Sequence, residues 1–569
     1  GAMISPYLDI ERVVKALRQS GCDAVWPGWG FAAEDAVFVR RLEEEGFVFL
    51  GPSADAMERL GDKIAAKALA EECGVPLTPW WTVPEGADTA DVLAQADRIG
   101  FPLMVKASAG GGGRGIRKVD DPDALFAAIG AVRDEVRKVF GAGGLLLEAC
   151  VTGARHVEVQ LIGGADGKTV ALGVRDCSIQ RRNQKILEEA PSPVLPAEMV
   201  TLLCESSVRL ADAAGYRSAG TAEFLYQPAT GVACFLEVNS RLQVEHTVTE
   251  CVTGVDLVHA QIDVARGLAL HESGVVDRQG RITPVRGWSL EARLCAEDAS
   301  RGFAPSPGKV TVFRAPSGPG IRVDSGITEG SVIPAEFDSM IAKVIATGAT
   351  RRQAFARLRR ALSELQVVIE DGATNKALLL ELLERPEVED GSADTGWLDR
   401  ALIAGEVAQH RRTFEALCFS AIVEYRRHRQ GQLQAFFRAA QGGIPQYPPT
   451  PEPLEIELVL ANQRLTLLVH DLGNKRYLVG PEGQMHVARV RFDGEVAASL
   501  TLSGERHDVR YAYGDKGVTV EVDGAMHTVE PAAGGALKAP APAMVVQVAV
   551  TEGDSVVAGQ RLLTLEAMK

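Results

Sequence analysis

Residues 221–239 impose the strongest single constraint on how this chain folds, because they predict a β-hairpin that carries two acids. Apolar and polar residues alternate on both sides of a turn near residue 230. If the hairpin folds about that residue, Glu223 and Glu237 lie directly opposite each other. Two like charges in opposed positions destabilise a hairpin unless something neutralises them. The neighbouring residues are apolar, which disfavours the alternative of two solvated surface acids.

A divalent cation is the neutralising group that this pattern favours. Mg²⁺ and Mn²⁺ are hard ions that take carboxylate and amide oxygens as ligands. Asn239 is expected on the same strand face as Glu237, since residues two apart along a strand share a face. The sequence therefore predicts a metal site made of Glu223, Glu237 and Asn239.

The residues immediately after the hairpin predict an anion site. In an extended chain Arg241, Gln243 and Glu245 point to one side. They would bring a fixed cation, an amide donor and a potential general base close to the two acids. This set of groups suits a small oxyanion.

A glycine-rich loop, KASAGGGGRG at 106–115, lies between two predicted strands, 102–106 and 145–148, with a helix near 121–138. Glycines allow backbone N–H groups to close around phosphate oxygens, and Lys106 adds a positive charge. The spacing matches neither the dinucleotide fingerprint nor the P-loop. Taken alone, the loop fits phosphate binding and a plain flexible connection equally well.

A basic cluster, QRRNQK at 180–185, precedes two glutamates and a proline. Charged runs of this kind are usually solvated, so the cluster alone is typical of an ion-paired surface strand. No catalytic role follows from its composition.

The remaining segments predict mixed architecture. One helix is expected from about Ala54 to Gly74, and a second helical stretch at about 398–441. Residues 454–530 change character to short alternating runs separated by turn residues, which predicts a small antiparallel barrel or sandwich. An Ala/Pro/Gly linker at 531–543 then leads to a last β segment.

Charge and composition exclude several classes of protein. The chain has 60 Lys and Arg against 75 Asp and Glu, a net charge of −15, which disfavours nucleic acid and anionic lipid as partners. No apolar run approaches the roughly 20 residues that span a bilayer, and no signal peptide opens the chain. The nine cysteines are scattered without a CxxC pair, which argues against a disulfide scaffold or a zinc site. We therefore expect a cytoplasmic protein with no nucleic-acid or membrane partner.

The C-terminal residues predict a modification site. Two β runs, separated by Gly-Asp and Ala-Gly turns, follow the Pro/Ala linker and end in Glu566-Ala-Met-Lys569. A lysine flanked by Ala-Met at the tip of a β-turn is placed for modification rather than for packing.

Together these motifs resemble two parts of a biotin-dependent carboxylase. The C-terminal motif, with the preceding PAPAM and Gly-Asp, is similar to the biotin carrier domain. Residues 4–393 resemble biotin carboxylase, an ATP-grasp enzyme. That second resemblance is carried by seven segments: Gly61-Asp-Lys63, Lys106–Gly115, Arg155–Glu158, Arg175–Arg182, Glu223, Glu237–His246 and Asp338–Lys343.

The resemblance implies an α+β chain of five segments. They are a remnant of the biotin carboxylase N-terminal domain whose parallel-sheet unit is truncated (1–78), the ATP-grasp lid (79–150), the carboxylase C-terminal catalytic domain (151–393), a helix plus antiparallel β-barrel subunit-docking domain (394–530), and a linker with a partial all-β biotinyl barrel-sandwich domain (531–569). The family's first βαβ unit lies upstream of the equivalent of residue 4. Its absence is expected to endanger dimerisation and ATPase activity.

The resemblance also implies cofactors and roles: ATP, Mg²⁺ or Mn²⁺, and biotin attached to Lys569. ATP would contact Lys63, Lys106, Gly110, Gly111, Gly112, Gly113, His156 and Gln180, with Glu148 and Val151 at the adenine and Asn183, where relatives commonly have histidine, at the ribose. Metal would sit on Glu223, Glu237 and Asn239. Bicarbonate would lie against Arg241, Gln243 and the Val244 backbone, with Glu245 as its base, Lys185 near the carboxyphosphate and Arg322 stabilising the biotin enolate.

The implied function is the first half-reaction of an acyl-CoA carboxylase. The expected partners are bicarbonate, a carboxyltransferase domain or subunit and a biotin protein ligase, in an oligomer. The alternatives are a truncated, non-catalytic carrier and assembly module, or the equivalent half of a pyruvate or urea carboxylase. A lipoyl carrier is the remaining alternative for Lys569.

Overall fold

The computed structural model describes residues 7–108, 115–139, 143–407, 412–443, 447–460, 463–514, 516–532, 543–551, 556 and 560–567. None of the helices in this described part combines the length and the apolar composition that crossing a membrane requires.

The N-terminal segment pairs two short parallel strands with four helices. Its elements are α1 (Ile10–Ser20), β1 (Ala24–Val25), a 3₁₀ turn (Phe31–Glu34), α2 (Ala36–Glu44), β2 (Val48–Phe49), α3 (Ala54–Gly61) and α4 (Lys63–Glu72). The prediction of one continuous helix from about Ala54 to Gly74 is wrong. Asp62 has an extended backbone, and its carboxylate accepts hydrogen bonds from the N–H groups of Ile64 and Ala65. This N-cap starts a new helix and places Lys63 at its first position.

A four-stranded antiparallel sheet follows, with strand order β3-β6-β4-β5. Its elements are β3 (Trp80–Val83), α5 (Thr89–Ile99), β4 (Leu103–Ala107), β5 (Ile116–Val119), α6 (Pro122–Val139) and β6 (Leu145–Ala149). The strands predicted at 102–106 and 145–148 and the helix near 121–138 are confirmed. The two helices and the sheet share one buried apolar core.

The centre of the molecule is an eight-stranded sheet with order β11-β10-β7-β8-β9-β12-β18-β16. The first elements of this region are β7 (Arg155–Gly163), β8 (Thr169–Arg181), β9 (Gln184–Ala190), α7 (Ala197–Ala213), β10 (Ser218–Gln227), β11 (Val232–Asn239), α8 (His246–Thr253), α9 (Leu257–Ala265) and β12 (Trp288–Cys295). The region continues with β13 (Glu297–Asp298), a 3₁₀ turn (Ala299–Arg301), β14 (Ala304–Pro305), β15 (Gly308–Arg314), β16 (Ile321–Ser325), β17 (Val332–Ile333), β18 (Met340–Gly348), α10 (Arg351–Glu364), β19 (Gln366–Ile369), α11 (Lys376–Leu382), α12 (Pro386–Glu389) and α13 (Trp397–Ile403).

The predicted hairpin is confirmed as β10 and β11, and Glu223 pairs with Glu237 in its register. A bulge directly after Glu223 then pairs Phe224 with Phe235. The two phenylalanine rings are buried and meet edge to face, with centroids 5.8 Å apart. The apolar half of the hairpin therefore faces the core while its acidic end faces the site described below.

A closed eight-stranded antiparallel barrel with one long helix forms the next unit. Its elements are α14 (Thr413–Ala440), β20 (Leu454–Leu460), β21 (Gln463–Gly473), β22 (Arg476–Gly480), β23 (His486–Phe492), β24 (Ala497–Leu502), β25 (Glu505–Tyr513), β26 (Val518–Val522) and β27 (Ala525–Pro531). The barrel prediction is confirmed, and the first half of α14 shares its core. The helical stretch expected at about 398–441 is divided: α13 ends at Ile403 and α14 begins at Thr413.

The last described elements are β28 (Ala543–Val548) and β29 (Leu563–Ala567), which pair antiparallel. Lys569, the predicted attachment residue, lies outside the described residues, as does most of the linker.

Candidate active site

Lys185, on β9, is the hub of a buried polar cluster on the eight-stranded sheet. Its Nζ lies 2.5 Å from Glu245 Oε1, 2.6 Å from Glu158 Oε2, 2.9 Å from Glu223 Oε1 and 3.3 Å from Gln243 Oε1. Burial alone would lower the pKa of Lys185, but three carboxylates surround it and raise that pKa well above its usual value. The interpretation of 180–185 as a surface strand, made from composition alone, is therefore wrong at this residue.

Glu223 is bound through both carboxylate oxygens. Oε1 accepts from Asn239 Nδ2 at 2.8 Å and from Gln243 Nε2 at 2.9 Å, besides Lys185, and Oε2 lies 2.9 Å from His156 Nε2. Burial would raise the pKa of Glu223, yet the charges of Lys185 and His156 hold it well below the usual value. The structure thus brings Glu223 and Asn239 together as the sequence predicts.

Glu245 is the second fixed carboxylate. Oε1 accepts from Lys185, and Oε2 accepts from Arg293 NH2 at 2.9 Å. Burial opposes ionisation, but Lys185, Arg293 and Arg175 together hold the pKa of Glu245 far below its usual value. Glu245 is therefore an ionised carboxylate in an almost completely buried position, with 2 % of its surface exposed.

Arg175, on β8, forms the floor of this cluster and is completely buried. It donates to Glu158 Oε1 and Gln160 Oε1, both at 2.5 Å, and to the hydroxyls of Thr221 and Thr249 at 3.1 and 3.0 Å. Arg175 and Glu158 were not predicted as site residues. Their signal in the sequence is a charged residue beside apolar ones, since Glu158 lies between Val157 and Val159 and Arg175 follows Val174.

Residues 241–245 are not extended, which corrects the geometry assumed for the anion site. The chain turns before α8, so Gln243 and Glu245 reach Lys185 while Arg241 points elsewhere. Arg241 Nε lies 2.9 Å from Glu34 Oε2, and its NH2 is 3.4 Å from Asn239 Oδ1. The carbonyl of Val244 accepts from Lys343 Nζ at 2.7 Å.

The predicted ATP residues divide between two sheets. Lys63 Nζ lies 3.2 Å from Glu237 Oε2, and the Lys63 N–H donates to the carbonyl of Ser108 at the end of β4. Because Glu237 belongs to the large sheet and Ser108 follows a strand of the small one, Lys63 stands in the cleft between them. Gly110, Gly111, Gly112 and Gly113 lie outside the described residues.

Glu148, on β6, is buried between two lysines. Its carboxylate lies 2.8 Å from both Lys67 Nζ and Lys106 Nζ and accepts from the Thr78 hydroxyl at 2.6 Å. Burial would raise the pKa of Glu148, but the two lysines lower it to about 2. Val151, two residues past the end of this strand, is half-buried.

Gln180 contacts the site, but Asn183 does not. Gln180 Nε2 lies 2.5 Å from His156 Nδ1, opposite the ring nitrogen that faces Glu223. Asn183 is exposed in the β8–β9 turn with a φ of 62°.

Arg322 lies apart from the Lys185 cluster. It donates to Glu250 Oε2 at 2.7 Å and to Asp324 Oδ1 at 2.8 Å. It borders a cavity of about 530 Å³, whose other lining residues are His246, Glu250, Cys251, Gly254, Val255, Asp256 and Val258.

The donors present fit a divalent metal ion. Glu223 and Glu237 face each other across β10 and β11, Asn239 adds an amide oxygen, and hard oxygen ligands are what Mg²⁺ and Mn²⁺ require. Ligand atoms of His156, Glu158 and Glu223 also lie within 4.8 Å of one another. A cleft between a small and a large antiparallel sheet, lined by lysines and by opposed acids, agrees with the ATP-grasp class of ligase.

Comparison with known proteins gives the family. Three family profiles match: biotin carboxylase N-terminal domain over 1–57, carbamoyl-phosphate synthase L chain ATP binding domain over 62–273, and biotin carboxylase C-terminal domain over 291–400. The chain is 42 % identical to Biotin carboxylase 1 of Bacillus subtilis over 400 residues, which cover 70 % of this chain and 87 % of that one. The chain therefore belongs to the biotin carboxylase family.

Two further relatives differ in how much of them the chain spans. It is 40 % identical to pyruvate carboxylase of Aspergillus niger over 397 residues, which are 70 % of this chain but 33 % of that enzyme. The biotin carboxylase domain dimer of Hydrogenobacter thermophilus 2-oxoglutarate carboxylase, solved with MgADP, ADP and bicarbonate, superimposes with a TM-score of 0.65 at 38 % identity. That match covers 70 % of this chain and 87 % of the other.

Proposed function

We propose that this chain carboxylates biotin with bicarbonate at the expense of ATP. The observation that carries the proposal is the position of Lys185, which holds Glu245 and Glu223 ionised within hydrogen-bond distance of one ammonium group. A base and a metal-binding acid are thereby fixed on one small surface, and catalysis of phosphoryl transfer is chiefly positioning and charge stabilisation.

Glu245 is the base in this proposal. It is ionised and anchored through both oxygens, so it takes the proton of bicarbonate without moving. Gln243 presents its amide beside it, and Arg241 supplies a fixed positive charge at the rim. The deprotonated anion then attacks the terminal phosphate of ATP, the bond from that phosphorus to ADP breaks, and Lys185 stabilises the negative charge that builds up there. The products are ADP and carboxyphosphate. Carboxyphosphate breaks into CO₂ and phosphate, the phosphate takes the proton of biotin N1, and N1 bonds to the CO₂ carbon.

Lys63 and Lys106 bind the phosphates in this proposal, together with His156. Lys63 begins α4 beside Glu237, and the end of strand β4, which carries Lys106, lies against the same helix start. Glu223, Glu237 and Asn239 would hold Mg²⁺ or Mn²⁺, which neutralises phosphate charge when bound. The Hydrogenobacter relative, solved with MgADP and bicarbonate, supports this choice of ligands.

The decisive experiment is ATP hydrolysis measured with and without bicarbonate. We expect bicarbonate to stimulate hydrolysis and Glu245→Gln to reduce the stimulated rate by about 100-fold or more, since a positioned general base contributes roughly 10²–10⁴-fold. Glu482→Gln, at an exposed glutamate of the barrel, is the matched control. Absence of bicarbonate stimulation in the unaltered chain would instead favour a non-catalytic carrier and assembly module.

The acceptor of the carboxyl group is a separate proposal. We infer an acyl-CoA carboxylase, with a carboxyltransferase as partner, biotin on Lys569 and a cytoplasmic location in which its nine cysteines stay free thiols. The match to Aspergillus pyruvate carboxylase favours pyruvate as the second candidate. A carboxylation screen over acyl-CoA, pyruvate and urea, with the transferase supplied, separates these candidates.

Avidin binding by the chain after expression with a biotin ligase tests whether biotin is attached to Lys569.

A further inference from the structure

Two glutamates that belong to none of the predicted site residues lie next to the base. Glu188 on β9 and Glu291 on β12 are directly opposed in the antiparallel register, and they are 1 % and 0 % exposed. Directly opposed side chains point to the same face of a sheet, with Cβ atoms about 5 Å apart. Two acids are thus buried side by side.

Each of these carboxylates has one bonded oxygen and one without a partner. Glu188 Oε1 accepts from Arg293 Nε at 2.5 Å, and Glu291 Oε2 accepts from the Thr247 hydroxyl. Glu188 Oε2 and Glu291 Oε1 are buried without a hydrogen-bond partner among the described residues. Buried polar atoms are almost always paired, so this pair requires an explanation.

A single proton satisfies both orphan oxygens at once, because a protonated acid donates to a neighbouring carboxylate. We propose that Glu188 and Glu291 share one proton, and that this pair positions Arg293 against the base Glu245. The second half of this inference rests on the proposed function, whereas the shared proton does not.

The surrounding charges agree with a retained proton. Burial raises the pKa of Glu188 to about 8, with like charges on Glu291 and Glu245 adding to it and Arg293 opposing it. Burial also raises the pKa of Glu291, against the charges of Lys343 on β18 and of Arg293 and the hydrogen bond from Thr247. The charged and titratable neighbours that face the pair thus come from β12, β18 and the start of α8, and Cys177 of β8, a buried thiol whose pKa burial raises, adds to them.

The guanidinium group of Arg293 connects the glutamate pair to Glu245. Arg293 bonds Glu188 through Nε and Glu245 through NH2, so both carboxylates compete for the same cation. While the pair holds its proton, it carries one negative charge. Loss of the proton adds a second, which draws Arg293 from Glu245 and repels bicarbonate. Turnover should therefore fall as the pH rises through about 8. Glu188 and Glu291, which act on Glu245 through Arg293, are positioning residues.

The kinetic test compares three chains in the bicarbonate-dependent ATPase assay across pH. Glutamine at 188 is neutral at every pH and still offers a donor to Glu291 and an acceptor to Arg293, whereas alanine offers neither. We expect Glu188→Gln to lose the alkaline fall in kcat. Near neutral pH it should be at least about tenfold more active than Glu188→Ala, with little difference in the KM for ATP. A Glu188→Gln variant that keeps the wild-type alkaline fall, or is as inactive as Glu188→Ala, overturns the proposal.

An infrared spectrum tests the shared proton without turnover. A protonated carboxylic acid has a C=O stretch that ionised carboxylates lack. We expect this band in the wild-type chain at neutral pH, its loss in Glu188→Gln, and its retention in the control Glu482→Gln. Absence of the band from the wild-type chain overturns the shared proton. A chain that has the band but no bicarbonate-dependent hydrolysis overturns the proposed function and supports the shared proton.

Discussion

Lys376 of α11 and Glu521 of β26 form an ion pair of 2.7 Å between the carboxylase region and the barrel, with side chains only 2 % and 7 % exposed. Around it, the backbone N–H of Asp371 donates to the Thr519 hydroxyl, and Val312 and Val368 pack against Ala512. The barrel is therefore joined to the carboxylase by a buried, specific contact.

We predict that Lys376→Met lowers the free energy of unfolding by about 3–5 kcal/mol, because it leaves Glu521 buried without its cation. Urea titration measures this loss. The control is Arg464→Met, whose ion pair with Glu457 is more than half exposed and should be worth less than about 1 kcal/mol. Equal losses in the two variants would contradict the importance of burial here.

Replacing Lys185 should lower kcat strongly rather than weaken ATP binding alone. In Lys185→Met, Glu158, Glu223 and Glu245 face one another without their common cation. We expect kcat to fall by about 100-fold or more, the effect of removing one preorganised charge donor. Lys185→Arg keeps the charge and should recover part of the rate. Steady-state ATPase assays decide, and a Met variant within tenfold of wild type would contradict the role of Lys185.

His246 should make stability depend on pH below neutrality. Burial, with the nearby charge of Lys343, lowers the pKa of His246 to about 4, while the unfolded chain has the ordinary value of about 6.5. Between about pH 4 and pH 6.5, His246 is protonated in the unfolded chain but neutral in the folded chain. The free energy of unfolding therefore falls as the pH falls through this range.

By this linkage, about 2 kcal/mol is lost between pH 7 and about pH 5. Urea unfolding at the two pH values measures it. His246→Asn should lose this part of the dependence, and His259→Asn, at an exposed histidine of α9, should retain it. If both variants behave alike, His246 is not the titrating group.

The dependence of ATPase activity on Mg²⁺ concentration should show whether Glu223 and Glu237 bind the metal. Glu237→Gln removes one of the two facing carboxylates and keeps the size of the side chain, so we expect the backbone pairing of the hairpin to remain. We expect the Mg²⁺ concentration for half-maximal ATPase activity to rise about tenfold or more, because an amide is a weaker ligand than a carboxylate for a hard ion. Glu336→Gln, at an exposed glutamate, serves as the comparison. An unchanged Mg²⁺ requirement would remove Glu237 from the metal site.

Local patterns predicted much of this fold. The alternation in 221–239 predicted the hairpin. Its two acids pair as predicted because the bulge at Leu236 compensates for a turn centred between residues 229 and 230 rather than at 230. The short alternating runs of 454–530 likewise predicted the barrel. In contrast, the break at Asp62 was missed although Asp is a common N-cap residue, because apolar residues continue at helical spacing on both sides of it.

The candidate catalytic centre is made by contacts that no local sequence pattern contains. Lys185 looked like part of a surface cluster, and only the resemblance to biotin carboxylase singled it out. Its partners come from β7, β10 and the loop after β11, which are far apart in sequence. Glu188 and Glu291 lie in segments with no motif, and their pairing follows from strand order alone.

The bulge after Glu223 changes which face of the sheet the residues of β11 point to, relative to their partners on β10. Phe235 and Glu237 are two residues apart, so in a regular strand they would share a face. Leu236 is the extra residue, and it allows Phe235 to pair with Phe224 in the core while Glu237 pairs with Glu223 at the cleft. The two acids therefore lie on the cleft side of the sheet while the two phenylalanine rings lie on its core side. If the strand paired regularly with Leu236 still in the chain, Leu236 would lie opposite Glu223 and Glu237 would face the opposite side of the sheet, away from the cleft.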